Sequence, residues 1–412
     1  MKEKNTKTES KFIKFARVAF YAVMKPFVWI YSVVFQGVRF TKNGYKIPKG
    51  SALFLSNHVT NWDGLYLNCM FFTRIIRFIV NEEMFENKFV AWFSKNLLGE
   101  VCRGVKSSDV SDILEMKRIV KKKASLGLYP EGDIDFFGRN LPIEISIAKF
   151  AKMLGIPVVL TRIQGAHIRA PRWADRARHA HIRYSVTDVI SAQEVKSLPA
   201  QALYERILKG IENDDLAYQS ETRYRQFPAP KRAEWLELGL FYCPNCHSYE
   251  TLFSKGDQLF CRSCDFWAKY DRYCMIQSKD GNEPALLTAW DDRQRKALKD
   301  RLKNRNGKEP VFIAKDLELY VATPKGVYQR KLEKTDVAIY QDRLTYTSNE
   351  TEVVIPIQEM QKISVRHKDL LEIYYGDGRL CFGTKKRKWS AYLYVLTLLE
   401  LKNYQPNKGE RL

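Results

Sequence analysis

Hydrophobic and polar positions change period several times along this chain. Residues 12–40 are almost continuously apolar and aromatic, interrupted by Lys14, Arg17 and Lys25 and by Pro26. The longest uncharged run, Pro26 to Val38, is shorter than the about 20 apolar residues a membrane-spanning helix needs. The stretch predicts two helices broken at Pro26, each with one apolar and one basic face, lying in the interface of a single leaflet. Phe27, Trp29 and Tyr31 would sit at interface depth. Two ordinary helices packed on a domain share the same pattern. No small-residue cleavage site follows, so a removable signal peptide is not expected.

From about Gly37 to Ile190 short β-rich runs alternate with helical stretches. Strands are predicted at 51–57, 75–80, 125–132, 156–165 and 181–190, and helices at 111–124 and 143–155, the latter closed by Gly155. This alternation predicts an α/β fold, a largely parallel sheet flanked by helices, with its ligands beyond the strand ends. Residues 197–215 read as helical, and 223–235 as a basic, proline-containing linker. Beyond a polar helix at 291–305 the period falls to two. Strands at 317–323, 344–348, 363–367, 370–376 and 380–384 are joined by turns such as Gly376-Asp377-Gly378. A helix from about Lys388 to Lys402 closes the chain, which suggests a small β-barrel capped by that helix.

Composition narrows the choices. Apolar residues make up 45% of 412, so the chain is not globally disordered. Sixty-eight Lys and Arg against 47 Asp and Glu give a net charge of +21, which attracts polyanions such as anionic lipid surfaces or nucleic acid. Of the eight cysteines, four form the close pairs Cys243/Cys246 and Cys261/Cys264. That suits a reducing compartment and one metal site better than a disulfide framework. The spacing C-x2-C-x14-C-x2-C places four thiolates around one ion. Structural zinc with no open position is the expectation, and the segment resembles a zinc ribbon. A rubredoxin-like iron site and four unrelated thiols are the alternatives.

The strongest chemical signal is Ser56-Asn57-His58-Val59-Thr60-Asn61-Trp62-Asp63-Gly64. On one helix, residues five apart diverge by roughly 140°. His58 and Asp63 therefore meet only if His58 lies at a strand end and a helix starts after it, with Thr60 or Asn61 as its cap. A carboxylate on one imidazole nitrogen leaves the other free to accept a proton. An isolated pair at this spacing is more often a strand-end histidine that caps a helix.

Downstream stand Gly99-Glu100-Val101-Cys102-Arg103-Gly104, Leu128-Tyr129-Pro130-Glu131-Gly132-Asp133 and Gly155-Ile156-Pro157. In order and spacing these four segments resemble the motifs of the glycerolipid acyltransferases, whose best-known members acylate lysophosphatidic acid. The resemblance implies that His58 deprotonates a lipid hydroxyl for direct attack on an acyl thioester, acyl-CoA or acyl-carrier protein, and that Asp63 orients it. It implies acceptor binding by Asn57, Arg103, Glu131 and Gly132, and either a structural role or an acyl contact for Pro157. Where the family has Thr-Arg, this chain has Asp133-Ile134-Asp135. Recognition of a simple phosphomonoester is then expected to weaken unless Lys106 or Arg139 compensates.

The expected organisation is N-terminal membrane-interfacial helices (1–36), an acyltransferase domain (37–232), a zinc ribbon (236–276) and a module resembling pleckstrin-homology or GRAM domains (285–406). In the last, the 384–388 run would either meet anionic headgroups or form a solvated loop. The partners implied are an anionic phospholipid membrane, a lysophospholipid acceptor and an acyl thioester donor, at the cytoplasmic face of the cell membrane. A different lipid acceptor, or a non-enzymatic membrane adaptor on the same scaffold, remains open. Nucleic acid is not an expected partner, because the ribbon lacks a dense aromatic-basic face.

Overall fold

In a computed structural model, residues 10–81, 87–103, 110–225, 229–278, 286–303, 307–323, 328–348, 351–385 and 389–403 are described; for 81, 102, 103 and 110–112 this holds for the backbone alone. Lys106 and most of the basic run 384–388 lie outside them. The chain forms two compact units, one of residues 1–170 and 179–218, the other of 171–178 and 219–412.

The first unit is built on seven strands: β1 (Val38–Thr41), β2 (Leu53–Ser56), β3 (Ile76–Asn81), β4 (Val101–Arg103), β5 (Ser125–Leu128), β6 (Val158–Gln164) and β7 (Ile182–Ile190). Their order is β1-β7-β6-β2-β5-β3-β4. From β6 to β4 every pairing is parallel. β7 is antiparallel to β6, and β1 pairs parallel with β7. The predicted α/β class holds. β1 and β4 were not expected, because four and three residues are too few to display a period of two. Leu53, Leu55, Leu126, Val158 and Leu160 lead the sheet's contribution to the core, with Ile79, Val101 and Ile190 beside them, against Ile147, Ala148 and Ala151 of helix Ser146–Leu154 and Leu203, Ile207 and Ile211 of helix Ala200–Ile211. Gly155 ends the first of these helices at φ +60°, as expected of a left-handed cap.

The N-terminal stretch departs from expectation. One helix, α1 (Lys11–Ile30), runs through Pro26 and continues into a π-helical segment, Tyr31–Phe35. Proline lacks an N–H and crowds the carbonyl four residues back. Here anchors on both sides of it keep the backbone helical. Lys25, just before the proline, donates to the carbonyls of Phe71, Phe72 and Arg74, and Trp29 packs edge-on against Phe72. The polar face is the one that packs inward. Arg17 donates to the Asn96 and Lys95 carbonyls, and Tyr21 to that of Leu98. Phe12, Phe15, Val23, Phe27, Val34 and Phe35 are exposed by 62–77%.

In the second unit β8 (Leu252–Lys255), β9 (Gln258–Cys261), β10 (Trp267–Tyr270) and β11 (Ile276–Ser278) form an antiparallel meander. A curled antiparallel sheet follows, built from β12 (Phe312–Ala322), β13 (Tyr328–Ile339), β14 (Arg343–Ser348), β15 (Thr351–Pro356), β16 (Met360–Arg366), β17 (Leu370–Tyr375) and β18 (Gly378–Gly383). It runs β15-β14-β13-β12-β18-β17-β16, so it is a half-barrel with two open edges, and helix Ala391–Asn403 packs on β16 and β17. The boundaries expected between ribbon and barrel fall inside this one unit. Gln294 of helix Leu287–Lys303 bonds Phe241 N–H and the Gly239 carbonyl, and Trp290 bonds the Tyr242 carbonyl.

Candidate active site and candidate metal centre

β2 ends at Ser56, and helix α2 (Asp63–Met70) starts five residues beyond His58 on Asp63. This break between strand and helix is what brings the two side chains together. His58 Nδ1 lies 3.0 Å from Asp63 Oδ2. The same oxygen accepts the N–H groups of Val59 (2.7 Å) and Thr60 (2.9 Å). Oδ1 accepts the hydroxyls of Thr60 (2.7 Å) and Tyr184 (3.1 Å). Asp63 is fully buried, whereas 22% of the His58 side chain is exposed. An acceptor-only carboxylate at Nδ1 places the imidazole proton there and leaves the lone pair on Nε2. No described residue engages Nε2.

The ring is held flat from one side. Tyr129 stacks on His58 with centroids 4.3 Å apart and planes 12° apart, and Phe78 stacks on Tyr129 at 5.2 Å. Gly127 makes room for this column, since a Cβ there would lie 2.5 Å from the Phe78 ring.

Two of the residues expected at the acceptor are hydrogen-bonded within the fold. Asn57 is buried, its amide donating to the Ile163 carbonyl (2.8 Å) and accepting from Ile163 N–H (2.7 Å). Glu131 Oε1 accepts His58 N–H (3.0 Å) and the Asn140 amide (2.9 Å), and Oε2 accepts Leu141 N–H (2.9 Å). Both residues thus fix where His58 stands. Gly132 has φ +71° with open space where a Cβ would point, so a turn conformation and not a close approach calls for glycine. Arg103 ends β4, and its side chain lies outside the described residues. Pro157 accepts Leu53 N–H (2.9 Å) where β2 and β6 begin, at the strand ends away from His58. Asp135 turns inward onto the N–H groups of Phe137 (2.7 Å) and Arg139 (3.2 Å).

Tyr184 and the Phe78–Tyr129 column escaped sequence reasoning. Alternation in β7 places Tyr184 inward, but nothing local shows that its hydroxyl reaches across to Asp63. Asp215 was missed as well. It is fully buried and ties Gly165 N–H, His167 N–H and the Asn213 amide together below the end of β6.

Burial pushes the Glu131 carboxyl up to about 7, against the opposing pull of its N–H donors. The folded chain therefore keeps a proton that the unfolded chain has released, so this group's share of stability is complete below the ordinary carboxylate range and is lost as pH rises toward 7. Glu131→Gln is expected to flatten that part of the stability–pH curve, read as denaturation midpoints from pH 5 to 8. Its amide nitrogen would also face an N–H donor, displacing either Leu141 or His58. A drop in kcat of about 10²-fold is expected, larger than the change in KM. An unchanged kcat would mean that this carboxyl does not position the ring.

In the second unit Cys243, Cys246, Cys261 and Cys264 bring their sulfurs within 4.8 Å of one another. Cys243–Cys264 is 3.8 Å and Cys246–Cys261 is 3.7 Å. Four thiolates at about 2.3 Å from a tetrahedral ion stand roughly 3.8 Å apart, so the four cysteines are spaced to bind a metal. His247, beside Cys246, pairs with the Tyr242 hydroxyl at 2.6 Å.

Residues 37–163 match the model of the acyltransferase family. No curated protein sequence matches the chain. The 1-acyl-sn-glycerophosphate acyltransferase PlsC of Thermotoga maritima is similar over 53% of this chain and 85% of its own, at 15% identity and a TM-score of 0.40. The N-terminal PH domain of human ARAP2 is similar over 26% of this chain and 94% of its own (17% identity, TM-score 0.18). Inner membrane complex sub-compartment protein 3 of Toxoplasma gondii is similar over 26% and 84% (17% identity, TM-score 0.18). The stretch from Gly37 to Ile163, which carries His58, Asp63 and Glu131, is the part of the chain that matches the acyltransferase family.

Proposed function

We propose that the chain is a membrane-surface O-acyltransferase that moves a fatty acyl group from acyl-CoA or acyl-carrier protein to the hydroxyl of a lysophospholipid, foremost 1-acyl-sn-glycerol-3-phosphate. The observation that carries the reading is a part-exposed imidazole whose Nδ1 is fixed by a buried carboxylate and whose Nε2 faces no described partner. Nε2 takes the acceptor's hydroxyl proton as the oxygen attacks the thioester carbonyl. Asp63 stabilises the imidazolium that forms. As the tetrahedral adduct collapses, the C–S bond breaks and the departing thiolate takes the proton from Nε2. Asn57 and Glu131 act as positioning residues, and Arg103 is assigned to acceptor phosphate, where a guanidinium fork fits. Four closed thiolate ligands fit a structural zinc ion and leave no position for catalysis.

The apolar face of α1 supports attachment to one leaflet. The helical stretch Lys11–Phe35 is long and apolar enough to cross a membrane, contrary to the expectation from its uncharged run, but the bonds of Arg17, Tyr21 and Lys25 to the sheet domain favour a helix that lies along the surface. Helix Lys88–Phe93 extends the same surface, with Phe89 and Trp92 exposed by 72% and 55% and Phe93 edge-on to Phe20 at 5.5 Å. Phe15→Asp and Phe27→Asp are each expected to weaken vesicle binding at least about tenfold, since a buried Phe contributes about 1.5–3 kcal/mol. Vesicle flotation measures this, and undiminished binding by the double variant would remove α1 from the interface. The activity itself is tested by transfer of labelled acyl groups from each thioester to a panel of lysolipids. Absence of transfer with every pair would favour a non-enzymatic adaptor.

A further inference from the structure

A cavity of about 530 Å³ opens between α1 and the strand ends opposite His58, walled by Val18, Ala22, Phe72 and Ile75 and edged by Arg74 and Lys123. Among the described residues no carboxylate lines it. Arg74 is half-buried. It donates to the Ser125 hydroxyl (3.3 Å) and the Pro48 carbonyl, and its guanidinium covers the Phe54 ring at 5.4 Å. Lys123 is exposed at φ 58°. Lys25 closes the inner wall with its N–H donors already committed to backbone carbonyls. Among the described residues none of these three cations has a carboxylate partner, and burial lowers Lys25 to about 8 and pulls Arg74 down. For half-buried Arg74 a charge with no carboxylate partner is costly, and an anion at the cavity edge would offset that cost.

We infer that this cavity is a second lipid site, which takes the phosphate of an anionic phospholipid on Arg74 and Lys123 and lays the adjoining chain along Val18, Ala22 and Phe72. The inference rests on the placement of α1 in the membrane interface. Three features single out a lipid over a free anion. The cationic edge and the apolar wall belong to one cavity. Val18 and Phe72 are exposed by 59% and 49% and continue into the apolar face of α1. The volume is that of a small-ligand pocket. A guanidinium and an ammonium at its edge suit a phosphodiester, to which Arg offers two parallel donors.

The test is calorimetric titration of the full chain with dihexanoylphosphatidylglycerol kept below its micelle concentration, beside dihexanoylphosphatidylcholine and inorganic phosphate. One-to-one binding of the anionic lipid is expected, weakened about tenfold or more by Arg74→Gln and by Lys123→Glu. The exposed Lys123 side chain makes no described hydrogen bond or ion pair, so its variant separates the site from folding. His58→Ala, which is expected to slow transfer, is expected to bind as the wild type does. So is the paired control Lys209→Gln/Lys255→Gln, which removes two charges elsewhere. Equal loss in that control, unchanged binding by Lys123→Glu, loss in His58→Ala, or phosphate binding as tightly as lipid would each overturn the proposal. Any of these with transfer intact leaves the acyltransferase reading standing, whereas absent transfer with site-dependent binding does the reverse.

Discussion

His58→Ala is expected to lower acyl transfer by about 10²–10⁴-fold, almost wholly in kcat, in a chain that stays folded. The geometry explains why this substitution is the cleanest probe of the pair. Asp63 receives five hydrogen bonds, and only the one from the His58 ring disappears. The two N–H groups and two hydroxyls that remain keep the buried carboxylate satisfied, so no unpaired charge is created. The partial exposure of His58 also limits the cavity that truncation leaves. Asp63→Asn is a poorer probe. Its amide nitrogen would meet backbone donors already aimed at Oδ2, so lost activity and lost stability would arrive together. Initial rates with saturating thioester, paired with thermal unfolding of both proteins, decide the matter. A variant that unfolds at the wild-type temperature and retains more than about a tenth of kcat would show that Nε2 is not the base.

The pattern of apolar positions disclosed the sheet better than the site. β2, β3, β5, β6 and β7 each carry four or more residues with β-rich composition, and all five were legible. β13 and β15 were not. β13 is polar or charged at every position from Gln329 to Asp336 except Leu332, and its buried positions become apolar only at Val337 and Ile339. The pairing of His58 with Asp63 could be foreseen, because five residues on one helix would separate them and a strand end would not. The roles of Asn57 and Glu131 could not be foreseen from order along the chain. Their hydrogen-bond partners, Ile163 and Asn140 with Leu141, come from other segments, and only the fold brings them near. The same holds for Tyr184, 121 positions from Asp63 in sequence. Pro26 shows the opposite failure. Local propensity argued for a break, and the carbonyls that hold Lys25, supplied by the turn after α2, outweighed it.

Removing the metal that the four cysteines are spaced to bind is expected to have the second-largest effect, on stability and not on chemistry. The strands around the four cysteines are short, at three or four residues each, and their interior rests on a few side chains such as Leu252, Leu259, Ala268 and Ile276. So small a core does not hold two hairpin knuckles by itself. Structural zinc contributes about 10–16 kcal/mol in isolated finger peptides. Here Trp290 and Gln294 brace the segment from behind, so part of the order survives without the ion. A loss on the order of 5 kcal/mol is the expected share for Cys261→Ser or for chelation, which in a unit of this size lowers the unfolding temperature by about 10–20 °C. The transition of the unit that holds His58 is expected to stay in place. Scanning calorimetry with and without a chelator, limited proteolysis across 241–278 and metal analysis of the purified chain read this out together. Zinc predicts a colourless protein with one ion per chain, whereas iron predicts visible absorption that bleaches on reduction. If Cys261→Ser unfolds at the wild-type temperature and carries no ion, the four sulfurs stand together without holding the segment in shape. Its packing on helix Leu287–Lys303 would then be sufficient alone.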